Sequence, residues 1–176
     1  MSTLYVDNLQ PNLGSGVSIP GHVVQVLQTV KSDTLGFASS SFTDLAGLSV
    51  TITPKSSSSK ILVTCAVHFT VSSDNYSIAY RILRDSTAVG IGDADGNRLR
   101  ASFMDNQTGG GDHQSSSCFT FLDSPNTTSA VTYKIQAASE LGASSQINRN
   151  QNANNDSTDP KYARPSSTIT VMEIAQ

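Results

Sequence analysis

The chain has 176 residues (18.6 kDa), a formal charge of −3, 14% charged residues and 45 serines and threonines. That length suits one domain with a sizeable core, and eleven scattered Lys and Arg exclude the clustered basic surface that nucleic acid requires. No run approaches the roughly 20 apolar residues of a membrane span, Met1-Ser2-Thr3 leads into Leu4-Tyr5-Val6-Asp7 without the basic start and apolar stretch of a secretory leader, and two cysteines cannot build a disulfide scaffold.

Residues 1–20 form an N-terminal arm ahead of a domain at 21–176. The arm carries Leu4, Tyr5, Val6, Leu9, Val17 and Ile19 among Pro11, Gly14, Gly16 and Pro20. It is too short and too rich in Gly and Pro to bury those apolar side chains itself, so it is expected to pack on another surface, its own domain or a neighbouring chain. Then come His22 to Val30, a short segment at Phe42, and the stretch Gly47 to Val71. In that stretch Leu48, Val50 and Ile52 alternate with polar residues. Beyond a turn of Pro54, Lys55 and four serines, Ile61, Val63, Cys65, Val67, Phe69 and Val71 make an unbroken period-two apolar face. Such a face belongs to a half-buried strand. Tyr76 to Leu83, Thr87 to Ile91, Leu99 to Met104, Ser115 to Leu122, Ala130 to Ala138, Ser144 to Asn148 and Ser167 to Ala175 continue the pattern between Gly/Asp/Asn-rich turns. Eight to ten short strands without helical periodicity or a blade-length repeat predict an all-β, antiparallel jelly-roll or other Greek-key sandwich. In the last strand Ile169 and Val171 share one face, while Met172 and Ile174 make the other face apolar too. A strand apolar on both sides is covered on both, here by the partner sheet and by either a neighbouring subunit or a loop folded over the terminus.

Motifs for chemistry are few. His22, His68 and His113 lack metal-ligand spacing, and Asp112-His113 has no nucleophile elbow beside it. Asp93 and Asp95 resemble the start of a calcium loop, but Met104 stands where the bidentate Glu is needed; a turn built on Asp-Gly or a weak cation site both fit. Cys65 shares parity with the core, and a bridge to Cys118 requires closely facing strands. The Asn-x-Ser/Thr matches at Asn75, Asn106, Asn126 and Asn155 are the chance product of composition. No cofactor and no enzymatic activity are expected. Two polar loops remain, 105–114 and 149–165. Asn148, Asn150, Asn152 and Tyr162, at or in the second, supply amides and a ring of the kind that grips a sugar.

The phrases PGHVVQVLQT at Pro20 to Thr29, Phe42-Thr43-Asp44-Leu45 before GLSVTITPKSSSSKILV, and the closing STITVMEIA resemble small virion proteins of tailed bacteriophages. The opening LYVDNLQPNLGSGVSIPG is similar to segments by which phage fibre and appendage proteins attach to the particle. The resemblance implies a jelly roll like that of tumour necrosis factor, assembled as a homotrimer on the exterior of a phage particle and made in the host bacterial cytoplasm. It implies that Leu4, Tyr5, Val6, Leu9, Val17 and Ile19 anchor the chain to other virion proteins, that Met172 and Ile174 face the trimer axis, and that distal loops meet a cell-surface glycan. A tail fibre fits this description, as does a capsid decoration protein or head fibre of the same fold.

Overall fold

Ile61, Val63, Cys65, Val67, Phe69 and Val71 are all fully withdrawn from solvent, as period-two alternation along one strand requires. The computed structural model describes residues 19–72, 74–108, 113–150, 158 and 160–176. Within them the strands are β1 (Val23–Lys31), β2 (Leu35–Phe37), β3 (Thr43–Ile52), β4 (Lys60–Val71), β5 (Tyr76–Arg84), β6 (Thr87–Val89), β7 (Phe103–Gln107), β8 (Ser115–Asp123), β9 (Val131–Ser139), β10 (Ser145–Ile147) and β11 (Ser167–Ile174). All pairings are antiparallel.

In the first sheet β1, β11, β4 and β8 lie side by side, and β10 carries β2 against the far end of β4. In the second sheet β3, β9 and β5 are followed by β7 and β6, which share the free side of β5. This interleaving, with the first and last strands adjacent in one sheet, is the jelly-roll order of two Greek keys. The expected all-β sandwich is therefore the observed one.

Between the sheets, Leu48, Ile52, Ile78, Tyr80, Ile82, Tyr133, Ile135, Ile169 and Val171 join the β4 side chains in one core. The Tyr80 ring stacks on Phe103 at 4.7 Å, Phe103 stacks on Phe119 at 5.5 Å, and Phe69 meets Tyr80 edge-on. This ladder ties β4, β5, β7 and β8 together along one side.

Several boundaries differ from the expectation. The segment around Phe42 is the lead-in to a β3 that begins at Thr43, with an irregularity between Asp44 and Ser49 that obscures its alternation. Leu99 stands in a loop, and the strand expected there begins at Phe103, because the partners of β5 are Phe103 to Gln107. The sequence pattern gives no sign of β2; three residues pairing with β10 leave no periodic trace. Short 3-10 turns occur at Glu140–Gly142 and Pro160–Tyr162. Cys65 and Cys118 are both free thiols. Their strands are neighbours, but Cys65 pairs with Phe119 and Cys118 with Ala66, so one sulfur faces the core and the other faces out.

Four buried polar side chains act as bolts. Gln107 receives the Val71 N–H at 2.7 Å and donates to its carbonyl, joining β7 to β4. Asp123 accepts from Arg84 Nη1 through both carboxylate oxygens, at 2.9 and 2.7 Å, and from the Tyr133 hydroxyl at 2.7 Å. Asn148, with φ +59°, donates to the carbonyls of Lys31 and Asp33 and accepts from Ser167 Oγ at 2.6 Å. Glu173 is fully buried at an inward position of β11, where it accepts from Gln25 Nε2 at 2.6 Å and from the Lys55 and Ser56 N–H groups at 2.8 and 3.4 Å. Burial alone would raise its pKa. The hydrogen bonds from Gln25, Ser59 and the two backbone amides outweigh that and hold it below the usual carboxylate value.

A depressed carboxylate contributes stability that is present above its unfolded pKa and lost as pH falls through the folded one. Glu173→Gln should therefore cost about 2 kcal/mol near neutral pH, the scale of charge-assisted bonds. Urea titrations of both proteins at pH 7 and below pH 4 should show the gap narrowing in acid. A gap that stays constant would refute the role given to the charge.

Candidate functional site

Strand β1 is the anomaly of the fold. Val23, Val24, Val26, Leu27 and Val30 are exposed on it, Val26 and Val30 at 53% each, and no charged residue interrupts them before Lys31. β1 is also an edge strand, paired on one side by β11. Long uncharged apolar edges invite pairing with another chain, and isolated folds blunt them with charge or Pro.

The register extends this surface across the sheet. One outward row runs Val26, Met172, Leu62, Leu122; the next runs Gln28, Thr170, Thr64, Thr120; a third runs Val30, Thr168, Ala66, Cys118. Lys60, opposite Ile174, flanks these rows at one end, and half-buried His68 lies beyond the third row. The polar row satisfies part of its own bonding: Gln28 Nε2 donates to Thr170 Oγ1 at 2.8 Å, and the Thr64 and Thr120 hydroxyls meet at 3.4 Å. Covering such a face costs little desolvation. Met172 and Ile174 both belong to it and are half-buried within the subunit; the sequence signal points to two residues of a much wider surface.

The outer face of the second sheet has the opposite chemistry. Lys134 pairs with Asp44 at 2.7 Å, Gln136 bridges Asp44 and Arg81, and Arg81 lies over the Phe42 ring at 4.3 Å. At one end this face opens into a groove of about 580 Å³. Ala79 and Ala138 form its floor, Leu99, Met104 and Leu141 its walls, and Arg98 and Glu140 stand on its rim. Leu99 is 57%, Met104 64% and Leu141 82% exposed. Leu141 also holds φ +51°, a left-handed conformation unfavourable for a branched side chain.

The other expected positions fall as follows. Leu4, Tyr5, Val6, Leu9, Val17 and Asn152 lie outside the described residues. Ile19 is exposed and opens a turn in which its carbonyl accepts the His22 N–H at 2.9 Å, with Gly21 at φ +82°, the geometry Pro-Gly favours. Asn148 and Asn150 are fully buried, so their side chains are interior ones; Tyr162 is half-buried in its 3-10 turn. Asp95 is engaged by Arg98, and among the described residues no group of three or more His, Cys, Asp or Glu is placed to hold a metal ion. Sequence reasoning misses both the β1 edge and the groove. The hydrophobic count of β1 is visible in sequence, but its lack of cover is not, and the groove gathers residues distant along the chain.

No protein-family model matches the chain, and no curated protein matches it. Among solved structures it is similar to that of infectious bursal disease virus Gx strain, at 13% identity and a TM-score of 0.46. It is also similar to the VP2 subviral particle of infectious bursal disease virus, at 12% identity and a TM-score of 0.41. The alignments cover 98% of this chain but 42% and 43% of those chains, so it spans less than half their length. Likeness at this level assigns neither family nor role.

Leu141 buries nothing that would compensate its backbone strain, so Leu141→Gly should raise stability by about 1 kcal/mol. The expected rise in thermal midpoint is about 2–4 °C. A lower midpoint would show that Leu141 supports the fold instead.

Proposed function

We propose that the chain is a structural subunit of a virus particle, a homotrimeric appendage of tail-fibre type, with the first sheets of three copies packed against one another. The uncharged outer face of that sheet carries the reading, since three apolar or self-satisfied rows beside an apolar edge are the chemistry of a surface covered by its own kind. The resemblance of the strand and turn phrases to tailed-phage virion proteins supports it. In this arrangement Met172 and Ile174 sit inside the trimer, together with Val26, Leu62 and Leu122. The arm, with Leu4, Tyr5, Val6, Leu9, Val17 and Ile19, leaves from one end to tether the trimer to another chain of the particle. The charged second sheets face outward, and their loops are the parts available to a cell-surface glycan. Repetition gives such an appendage avidity that one weak site lacks.

Light scattering on the full chain at micromolar concentration should give a trimer, and Met172→Glu should give a folded monomer with an unchanged circular dichroism spectrum. Cys118 supplies an internal reporter, because it lies on the third row while the Cys65 thiol is silent, its pKa pushed up to about 12 by burial and by the nearby Cys118. Thiol titration with a chromogenic disulfide should be slow in the trimer and fast, at one thiol per chain, in the Met172→Glu monomer. A wild-type monomer, or a trimer whose Cys118 reacts freely, would defeat the arrangement.

A further inference from the structure

We infer that β1 of one copy pairs with β8 of the next, so that the first sheet runs on from subunit to subunit; the inference rests on the trimer proposed above and names the contact that links its members. β1 and β8 are the outer strands of the run β1, β11, β4, β8. Among the described residues neither has a strand on its free side. Each is 9 residues long and contains no Gly or Pro. Each has its one charged residue at its last position, Lys31 on β1 and Asp123 on β8. Both charges are buried within the subunit, Lys31 beside Asp33 and Asp123 between Arg84 and Tyr133. Neither edge therefore presents the exposed charge or Pro that keeps free strands apart. The irregularity of β1 is confined to Val23–Gln25, and Gln25 to Lys31 remain regular.

The two edges leave the core open in a complementary way. Leu27 lies opposite the fully buried Val171 and so points between the sheets, yet it is 38% exposed because no strand lies beyond β1. Phe119 and Phe121 lie opposite the buried Cys65 and Val63, and on β8 they too are only half-buried. Strands joined at the usual spacing of about 4.8 Å bring Leu27 of one copy against those rings of the next. Each open flank of the core then covers the other.

Strand direction selects the pairing. Every step of the run is antiparallel, so β1 and β8 point in opposite senses. Rotation about an axis parallel to the strands preserves those senses, and β8 of a neighbour therefore meets β1 antiparallel. Such a contact uses a different edge on each copy and closes into a ring at three, with the outer faces of the first sheets turned toward the axis. Pairing β1 with β1 would be twofold and would stop at two copies, leaving both β8 edges bare. A single short ladder is marginal alone, so removing the Met172 row from the axis still releases monomers.

Val26, Gln28 and Val30 are the outward positions of regular β1, and Cys118 is outward on β8. The ladder can shift only in steps of two, since a single step would turn the inward residues out. Cys118 of a neighbour should therefore stand beside one of these three. Val26→Cys, Gln28→Cys and Val30→Cys in the full chain are each to be oxidised mildly and run on a non-reducing gel. At least one should lose its 18.6 kDa band to covalently linked trimers, and adding Cys118→Ser should abolish the linkage. Hydrogen exchange should show successive amides from Gln25 to Val30 protected in the wild type, but only alternate ones in the Met172→Glu monomer. A trimer in which none of the three variants links, or in which alternate β1 amides exchange freely, would overturn the edge pairing and leave the trimer standing. Linkage that survives Cys118→Ser would show β1 meeting β1 and overturn the assignment to β8. A wild-type monomer in light scattering would remove the trimer and this contact with it.

Discussion

Six side chains of β4, from Ile61 to Val71, are removed from water on one face while the strand's backbone is hydrogen-bonded to β8, β11 and β10. Burying that row contributes on the order of 10 kcal/mol, comparable with the whole net stability of a typical domain. Every other placement follows from this strand. β11 and β8 must flank it, β1 must flank β11, and the second sheet must supply the other half of the core through β5 and β9. Because alternation is strict from Ile61 to Phe69, the residues between the buried ones are forced outward together, and their chemistry becomes one surface; only Thr70, near the strand's end, is buried out of turn.

That surface gives the molecule two unlike sides. On the first sheet, Val26, Met172, Leu62 and Leu122 stand in register, with threonines beside them bonding partly to each other. On the second, Lys134, Asp44, Gln136 and Arg81 form the kind of network that water tolerates. Shared composition cannot account for the contrast, since both faces draw on the same chain. In the proposed assembly it corresponds to different neighbours, other copies on one side and solvent on the other. The ends differ as well: the chain enters through the Ile19–His22 turn at one, and the apolar groove opens at the other.

Legibility in the sequence follows the physics of pairing. β4, β5, β9 and β11 are readable because each buries a regular face, and Cys65 can be placed inside by parity alone. β2 is not, since a three-residue strand exists only through partners far along the chain. Asn148 resembles a loop amide and is instead a buried bolt, because left-handed backbone suits Asn and its amide meets two carbonyls that no local pattern reveals. Glu173 sits where parity demands an apolar residue; the backbone amides of the serine turn supply its counter-interaction. Of the functional surfaces, Met172 and Ile174 are visible as a second apolar face, but the rows they belong to need the register, and the groove needs the fold.

Coverage of the first sheet's outer face by copies of the same chain is tested most directly by a structure of the assembled oligomer. Val26, Leu62 and Met172 of each subunit should be buried against neighbours while the Lys134–Asp44 pair remains in solvent. Finding the second sheet turned toward the axis, with those apolar rows facing water, would contradict it.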